Sequence, residues 1–299
     1  MRVLIVGCGY VGLPLGAELA RRGHEVFGLR RTEDGKGELL AGGVNPVVGD
    51  VTQPASLRGL PGAFDWVVNT VSSSKGGADV YREVYLEGTR NLIAWLEGGT
   101  VRKFVHTSST SVYGQTTGVE VTEESAAEPL AETGRLLVET ENLLLAAARQ
   151  RSFPAVVLRV AGIYGPGRGH LFQQYLRDEA RISGDGSRLL NMIHRDDVVG
   201  AAIAALEQGE PGRIYNVADD EPVSQLDFFR WLSAQLRKPL PPFAGAEENA
   251  GRKRGVTHKR VSNRRLRAEL GWGLKYPTFR KGYAAEMRRT EGSVKGLKG

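Results

Sequence analysis

Only one cysteine, Cys8, occurs in 299 residues. A single thiol can neither close an internal disulfide nor hold a metal unaided, and such usage fits a reducing compartment. Metal chemistry is disfavoured by a second shortage, because the five histidines form no HExxH motif and no Cys/His cluster. Long apolar runs are missing as well. The opening MRVLIVGCGYVGLPLGAELA could pass for a secretion signal, but four glycines and Glu18 interrupt it. No stretch approaches the eighteen or so apolar residues of a membrane span, so a cytoplasmic protein without membrane attachment is expected. No internal repeat is visible, which argues against solenoids and propellers.

What is present is ordinary in amount and uneven in placement. Hydrophobic residues at 41% and charged residues at 25% suit a folded chain with a substantial core. The formal net charge is +6, yet eight basic residues, Arg252, Lys253, Arg254, Lys259, Arg260, Arg264, Arg265 and Arg267, sit together with no acid among them. They exceed the net charge, so the rest of the chain is slightly acidic. The basic segment lacks aromatic residues and any nucleic-acid motif. It reads as a solvated surface or as an anion contact involving Arg260, and nucleic acid is not expected as a partner.

Short β-branched runs at 3–6, 26–29, 46–48, 66–68, 104–106 and 155–160 alternate with helical or connecting segments, the clearest helices lying at 80–96 and 136–148. Strands joined by such crossovers predict an α/β Rossmann fold, a doubly wound parallel sheet, with a smaller C-terminal α/β subdomain on the substrate side. The expected division is residues 1–165 for the Rossmann domain, with 190–217 returning to it, 166–285 for the smaller subdomain, and a frayed tail at 286–299. Residues 239–261, rich in Pro, Gly and charge, read as a long loop.

Gly7-Cys8-Gly9-Tyr10-Val11-Gly12 follows the first strand at once and opens a helix. In that setting Gly7 permits the tight turn, Gly9 admits a pyrophosphate close to the backbone, and Gly12 lets helix and strand approach. The amides of this turn, Tyr10 and Val11 included, together with the helix dipole, are suited to a diphosphate. The second strand ends in Arg30-Arg31, where an NAD-binding fold places an acid for the ribose hydroxyl. A guanidinium pairs instead with a 2′-phosphate, so NADP(H) is expected and NAD is the weaker alternative. Asp50 and Val51, after the third strand, and Thr70, after the fourth, complete the expected cofactor set.

Six co-linear segments carry a resemblance: the glycine turn, Gly49-Asp50-Val51, Glu87-Gly88-Thr89-Arg90-Asn91-Leu92, Thr107-Ser108-Ser109-Thr110-Ser111-Val112-Tyr113-Gly114, Leu158-Arg159 with Ile163-Tyr164-Gly165-Pro166-Gly167, and Ile193-His194-Arg195-Asp196-Asp197-Val198. Together they make the chain similar to the extended short-chain dehydrogenase/reductase family, the NAD(P)-dependent epimerases and dehydratases. The resemblance implies that Ser109 hydrogen-bonds the reacting oxygen of a small-molecule substrate. It implies a Tyr-x-x-x-Lys pair too, but Thr133 and Leu137 stand at those positions, and no tyrosine in the chain has a lysine four residues on. The pattern matches the family's atypical branch. Tyr85 and Gly162 replace two asparagines of the family pattern, the second of which helps hold a nucleotide-sugar diphosphate. Tyr85 and Tyr113 are the leading replacements for the proton donor, with Tyr164 and His194 behind them. Asp196 and Asp197 read as helix-capping residues. The two readings left open are an epimerase/dehydratase-like oxidoreductase with a degenerate active site and a non-catalytic NADP(H)-binding sensor or scaffold. The family pairs the helices at 80–96 and 136–148 into a homodimer, which the resemblance implies here as well.

Overall fold

The computed structural model describes residues 1–73, 76–245 and 257–296. The first half runs β1 (Arg2–Val6), α1 (Gly12–Arg21), β2 (Glu25–Arg30), α2 (Lys36–Ala41), β3 (Val44–Val48), α3 (Pro54–Arg58), β4 (Trp66–Asn69), α4 (Ala78–Tyr81), a π-helical stretch Arg82–Glu87, α5 (Gly88–Leu96), β5 (Lys103–Ser109), β6 (Glu120–Val121), α6 (Glu132–Arg151) and β7 (Ala155–Val160). The second half runs β8 (Gly162–Tyr164), α7 (His170–Leu176), β9 (Leu189–Leu190), β10 (Met192–His194), α8 (Arg195–Gln208), β11 (Ile214–Val217), β12 (Val223–Ser224), α9 (Gln225–Leu236), β13 (Arg260–Val261), α10 (Arg264–Leu270) and α11 (Phe279–Gly296).

Seven strands form one sheet in the order β11-β7-β5-β4-β1-β2-β3, with every neighbouring pair parallel. A sheet covered on both faces needs apolar residues at successive positions, and Val3–Val6 and all six residues of β7 are buried. Two apolar layers, one on each face, enclose it. Strand order reverses beside β1, whose neighbours are β2 on one side and β4 on the other. Such a switch point opens a crevice at the carboxyl ends of the strands. A third apolar cluster, rich in Phe and Tyr, forms the smaller lobe around Phe172, Phe228, Phe229, Phe279 and Tyr283.

The expected fold class holds, and β11 pairs with β7 at one edge of the sheet. The expected tail needs correction. Helix α11 continues to Gly296, and Glu286 is buried against His194, whose Nε2 lies 3.0 Å from its carboxylate. The loop expected over 239–261 is shortened by β13, which pairs with β6; residues 246–256 lie outside the described residues. Within the basic segment, Arg264, Arg265 and Arg267 pair with Glu120, Glu124 and Asp220, and Arg260 donates to the Gly118 carbonyl at 2.7 Å. These internal contacts engage most of the described charge, while Arg252, Lys253 and Arg254 are outside the described residues. The helices at 78–96 and 132–151 carry the exposed ion pairs Arg82–Glu139 and Arg90–Glu87.

Candidate active-site cleft

A cleft of about 620 Å³ opens at the switch point. Its floor at one end is the glycine turn. Gly7 has φ +77°, and a Cβ there would lie 2.7 Å from the backbone of Val71. A Cβ on Gly12 would lie 2.9 Å from the Gly7 carbonyl, the Ile5 side chain and the Thr70 hydroxyl. Gly9 differs: its Cβ would meet nothing closer than 3.8 Å. Gly7 and Gly12 are therefore fixed by the protein's own packing, whereas the space over Gly9 is open to a ligand. The turn is anchored by the amides of Gly7 and Cys8, which donate to the Leu29 carbonyl, and by Thr70 Oγ1, which donates to the Gly7 carbonyl at 3.0 Å. The Leu13 and Leu15 amides donate to the Gly9 and Val11 carbonyls, so the amides left to face a ligand at the start of α1 are those of Tyr10, Val11 and Gly12, which suits this end to a diphosphate. Tyr10 and Val11 also line this end.

The two arginines after β2 separate in role. Arg30 donates from Nε to the Cys8 carbonyl at 2.7 Å and from Nη1 to the Asp34 carbonyl at 2.9 Å, and it faces Glu38 at 3.5 Å. It thereby staples the glycine turn to the following loop. Arg31 lines the cleft, is exposed, and has no ion pair among the described residues. Asp50 and Val51 line the same end, where the Asp50 carboxylate accepts from the amide and hydroxyl of Thr52 at 2.9 Å. Cys8 is fully buried, and burial pushes its thiol up to about 12, so it packs as a small apolar residue.

The other end of the cleft is formed by Ser109, Tyr81, Tyr85, Leu137 and Ile163. Ser109 ends β5, and its Oγ accepts from the Ser111 amide at 3.2 Å. Thr133 and Leu137 occupy α6 as the sequence implies, and the buried Leu137 presents an apolar surface to the cleft. Opposite, Tyr81 and Tyr85 hold their rings 4.8 Å apart. Tyr85 lies within the π-helical stretch, a geometry often found where a helix serves a site, and its phenol oxygen accepts from the Ser73 amide at 3.0 Å.

Tyr113 is displaced from its expected role. It is fully buried, outside the cleft lining, and its hydroxyl donates to Asn216 and accepts from Arg159, each at 2.8 Å. Arg159 also pairs with the buried Glu141 at 2.7 Å, and Ser108 donates to the same carboxylate at 2.5 Å. This network ties β5, α6, β7 and β11 together and reaches β5 at Ser108, the residue before Ser109. Tyr164 is likewise occupied in packing, stacked on Tyr283 with ring centres 4.3 Å apart. His194 accepts the Asp196 amide on Nδ1, which leaves its Nε2 proton to Glu286. Burial lowers its pKa, so it is a neutral internal link. His194 also caps α8 in place of the aspartates expected there; Asp197 instead accepts the amides of Lys275 and Tyr276.

Sequence reasoning missed Tyr81 and Arg168. The four-residue spacing of Tyr81 and Tyr85 on one helical face was a usable signal. Arg168 had none beyond its glycine-rich surroundings. Among the described residues no group of His, Cys, Asp and Glu could hold a metal, and no helix is long and apolar enough to cross a membrane.

The sheet order, the glycine cradle at its switch point and Ser109 at the end of β5 define a nucleotide-binding Rossmann protein of the short-chain dehydrogenase type. More particularly, the chain belongs to the NAD dependent epimerase/dehydratase family, whose model matches residues 3–218. It is 29% identical over 286 residues to Protein YeeZ of Escherichia coli strain K12, covering 92% of this chain and 96% of that protein. It is 28% identical over 291 residues to a 2-alkyl-3-oxoalkanoate reductase of Stenotrophomonas maltophilia, covering 90% of this chain and 86% of that protein. Among solved structures, DesIV, a dTDP-glucose 4,6-dehydratase of Streptomyces venezuelae with NAD and TYD bound, superposes with a TM-score of 0.84 at 22% identity over 96% of each chain.

Proposed function

We propose that this protein is a cytoplasmic NADP(H)-dependent oxidoreductase that interconverts a carbonyl and a hydroxyl group on a small substrate. The observation that carries the reading is the continuity of one cleft from the open space over Gly9 to Ser109 and Tyr85. Bound there, a nicotinamide cofactor supplies or accepts the hydride. The chain's own residues do the rest: the glycine-turn amides hold the diphosphate, Arg31 meets the 2′-phosphate, and the Ser109 hydroxyl donates to the reacting oxygen. Tyr85, a phenol at the same end of the cleft as Ser109, hands that oxygen its proton. Tyr85 thus takes the part that Thr133 cannot, an aliphatic alcohol being too weak an acid. The kinship with a 3-oxoalkanoate reductase supports a carbonyl substrate. A nucleotide sugar is disfavoured by Gly162 in place of the diphosphate-holding asparagine.

A second reading, an NADP(H)-binding sensor without turnover, is favoured by Leu137, which leaves an apolar wall where the family places an ammonium. The test is a thermal-shift comparison of NADPH and NADH, followed by oxidation of NADPH against a panel of ketones, aldehydes and 3-oxo acids. Turnover lost in Ser109→Ala and in Tyr85→Phe supports the enzyme. Tight NADPH binding with no turnover against the whole panel supports the sensor, and no dinucleotide binding overturns both.

A further inference from the structure

Arg168 is a cation without a stated purpose in the cleft. It enters from the smaller-lobe side on a tight hairpin, in which the Gly165 amide donates to the Arg168 carbonyl at 3.2 Å and the Arg168 amide donates to the Gly165 carbonyl at 2.9 Å. Gly165, Gly167 and Gly169 have φ of +144°, +67° and +131°, a backbone that residues with side chains rarely adopt. So constrained a loop holds one side chain in a set direction. That direction is toward the glycine turn: the guanidinium carbon of Arg168 lies 4.9 Å from the ring centre of Tyr10. Arg195 approaches the same ring at 5.3 Å, but its guanidinium bonds Asp196 at 3.1 Å. Arg168 has no acidic partner among the described residues, although it lines the cleft. The Tyr10 hydroxyl beneath it is buried with no hydrogen-bond partner among the described residues.

We propose that Arg168 is a positioning residue for the cofactor, closing over the diphosphate from the smaller lobe while the glycine-turn amides hold it from below. The inference rests on the cofactor reading above and extends it. Amides and a helix dipole supply only partial positive charge to a ligand group carrying two negative charges, so a full cation nearby completes the neutralisation. Arg168, over the Tyr10 ring, lines the same cleft as Gly9, and its planar fork suits phosphate oxygens. The bound dinucleotide then joins the Rossmann sheet to the loop after β8, and this joining does not depend on the 2′-phosphate.

Both NADPH and NADH carry the diphosphate, whereas only NADPH carries the 2′-phosphate. Equilibrium binding of NADPH, NADH and adenosine 2′-monophosphate to the full chain, its Arg168→Ala and Arg168→Lys forms and Arg31→Ala therefore separates the roles. The expected result is that Arg168→Ala weakens NADPH and NADH by the same factor, about tenfold or more, with Arg168→Lys in between and adenosine 2′-monophosphate unchanged. Arg31→Ala should weaken NADPH and adenosine 2′-monophosphate and spare NADH. Arg168→Ala or, should that form not fold, Arg168→Lys binding both dinucleotides as tightly as the unaltered chain overturns the proposal and leaves the cofactor reading standing. An unaltered chain that binds neither dinucleotide overturns both.

Discussion

The two ends of the cleft are built on different principles. At the glycine-turn end, the one suited to a diphosphate, the elements are backbone: a turn whose Gly7 and Gly12 cannot accept a Cβ, and amides whose direction follows from the start of a helix. At the reactive end they are side chains projecting from β5, α6 and the π-helical stretch. A backbone site is tied to the fold and survives as long as the fold does. A side-chain site has no such tie to the sheet, and at Leu137 it presents an apolar surface to the cleft. The difference teaches that retention of the first end says little about the chemistry of the second.

The sharpest way to break this comparison lies in the buried network beside the reactive end. Arg159→Met leaves the Glu141 carboxylate buried without its charge partner, and removal of one member of such a pair costs about 3–5 kcal/mol. Urea unfolding should report that loss. If stability is unchanged, the network is not what supports Ser109. A control outside both ends is Asp219, a buried carboxylate in the connection after β11 whose pKa burial pushes up to about 8. Its folded form holds the proton more tightly than the unfolded form, so its contribution to stability is present at low pH and is lost as pH rises from about 4 to about 8. Asp219→Asn should therefore stabilise the protein at pH 8, on the order of 3 kcal/mol, and flatten its melting temperature across that window.

At the glycine-turn end, Gly12→Val places a side chain where even a Cβ meets three atoms at 2.9 Å. Dinucleotide affinity should fall by about a hundredfold, roughly 2.7 kcal/mol, as read by calorimetry. The smallest expected effect sharpens the comparison. Arg31→Glu should reduce the preference for NADPH over NADH by about tenfold while leaving NADH binding near its original strength. Equal weakening of both would mean that Arg31 supports the loop and does not read the 2′-phosphate.

The local parts of the structure were legible in the sequence. A glycine turn is a matter of spacing along six residues, and the β-branched runs declared the parallel sheet. Features that depend on partners distant in sequence were not. Tyr113 sits in a motif that usually borders an active site, yet its ring turns inward to Arg159 and Asn216, 46 and 103 residues away. Charged, glycine-containing residues after 285 resemble a frayed end, but Glu286 is fixed by a histidine 92 residues earlier. Arg30 and Arg31 are equal as letters. Only the fold assigns one to the Cys8 carbonyl and turns the other to the cleft.

One feature of the sheet bears on how the protein is made. Strand β7, buried at all six positions, stays at the rim until β11 arrives from beyond the smaller lobe. A nascent chain released at residue 165 would therefore expose an apolar rim ready to pair with another molecule. Ribosomal synthesis must pass residue 217 before the Rossmann unit can seal itself, and a truncated fragment ending at 165 is expected to clump, whereas one ending after β11 gains its missing neighbour.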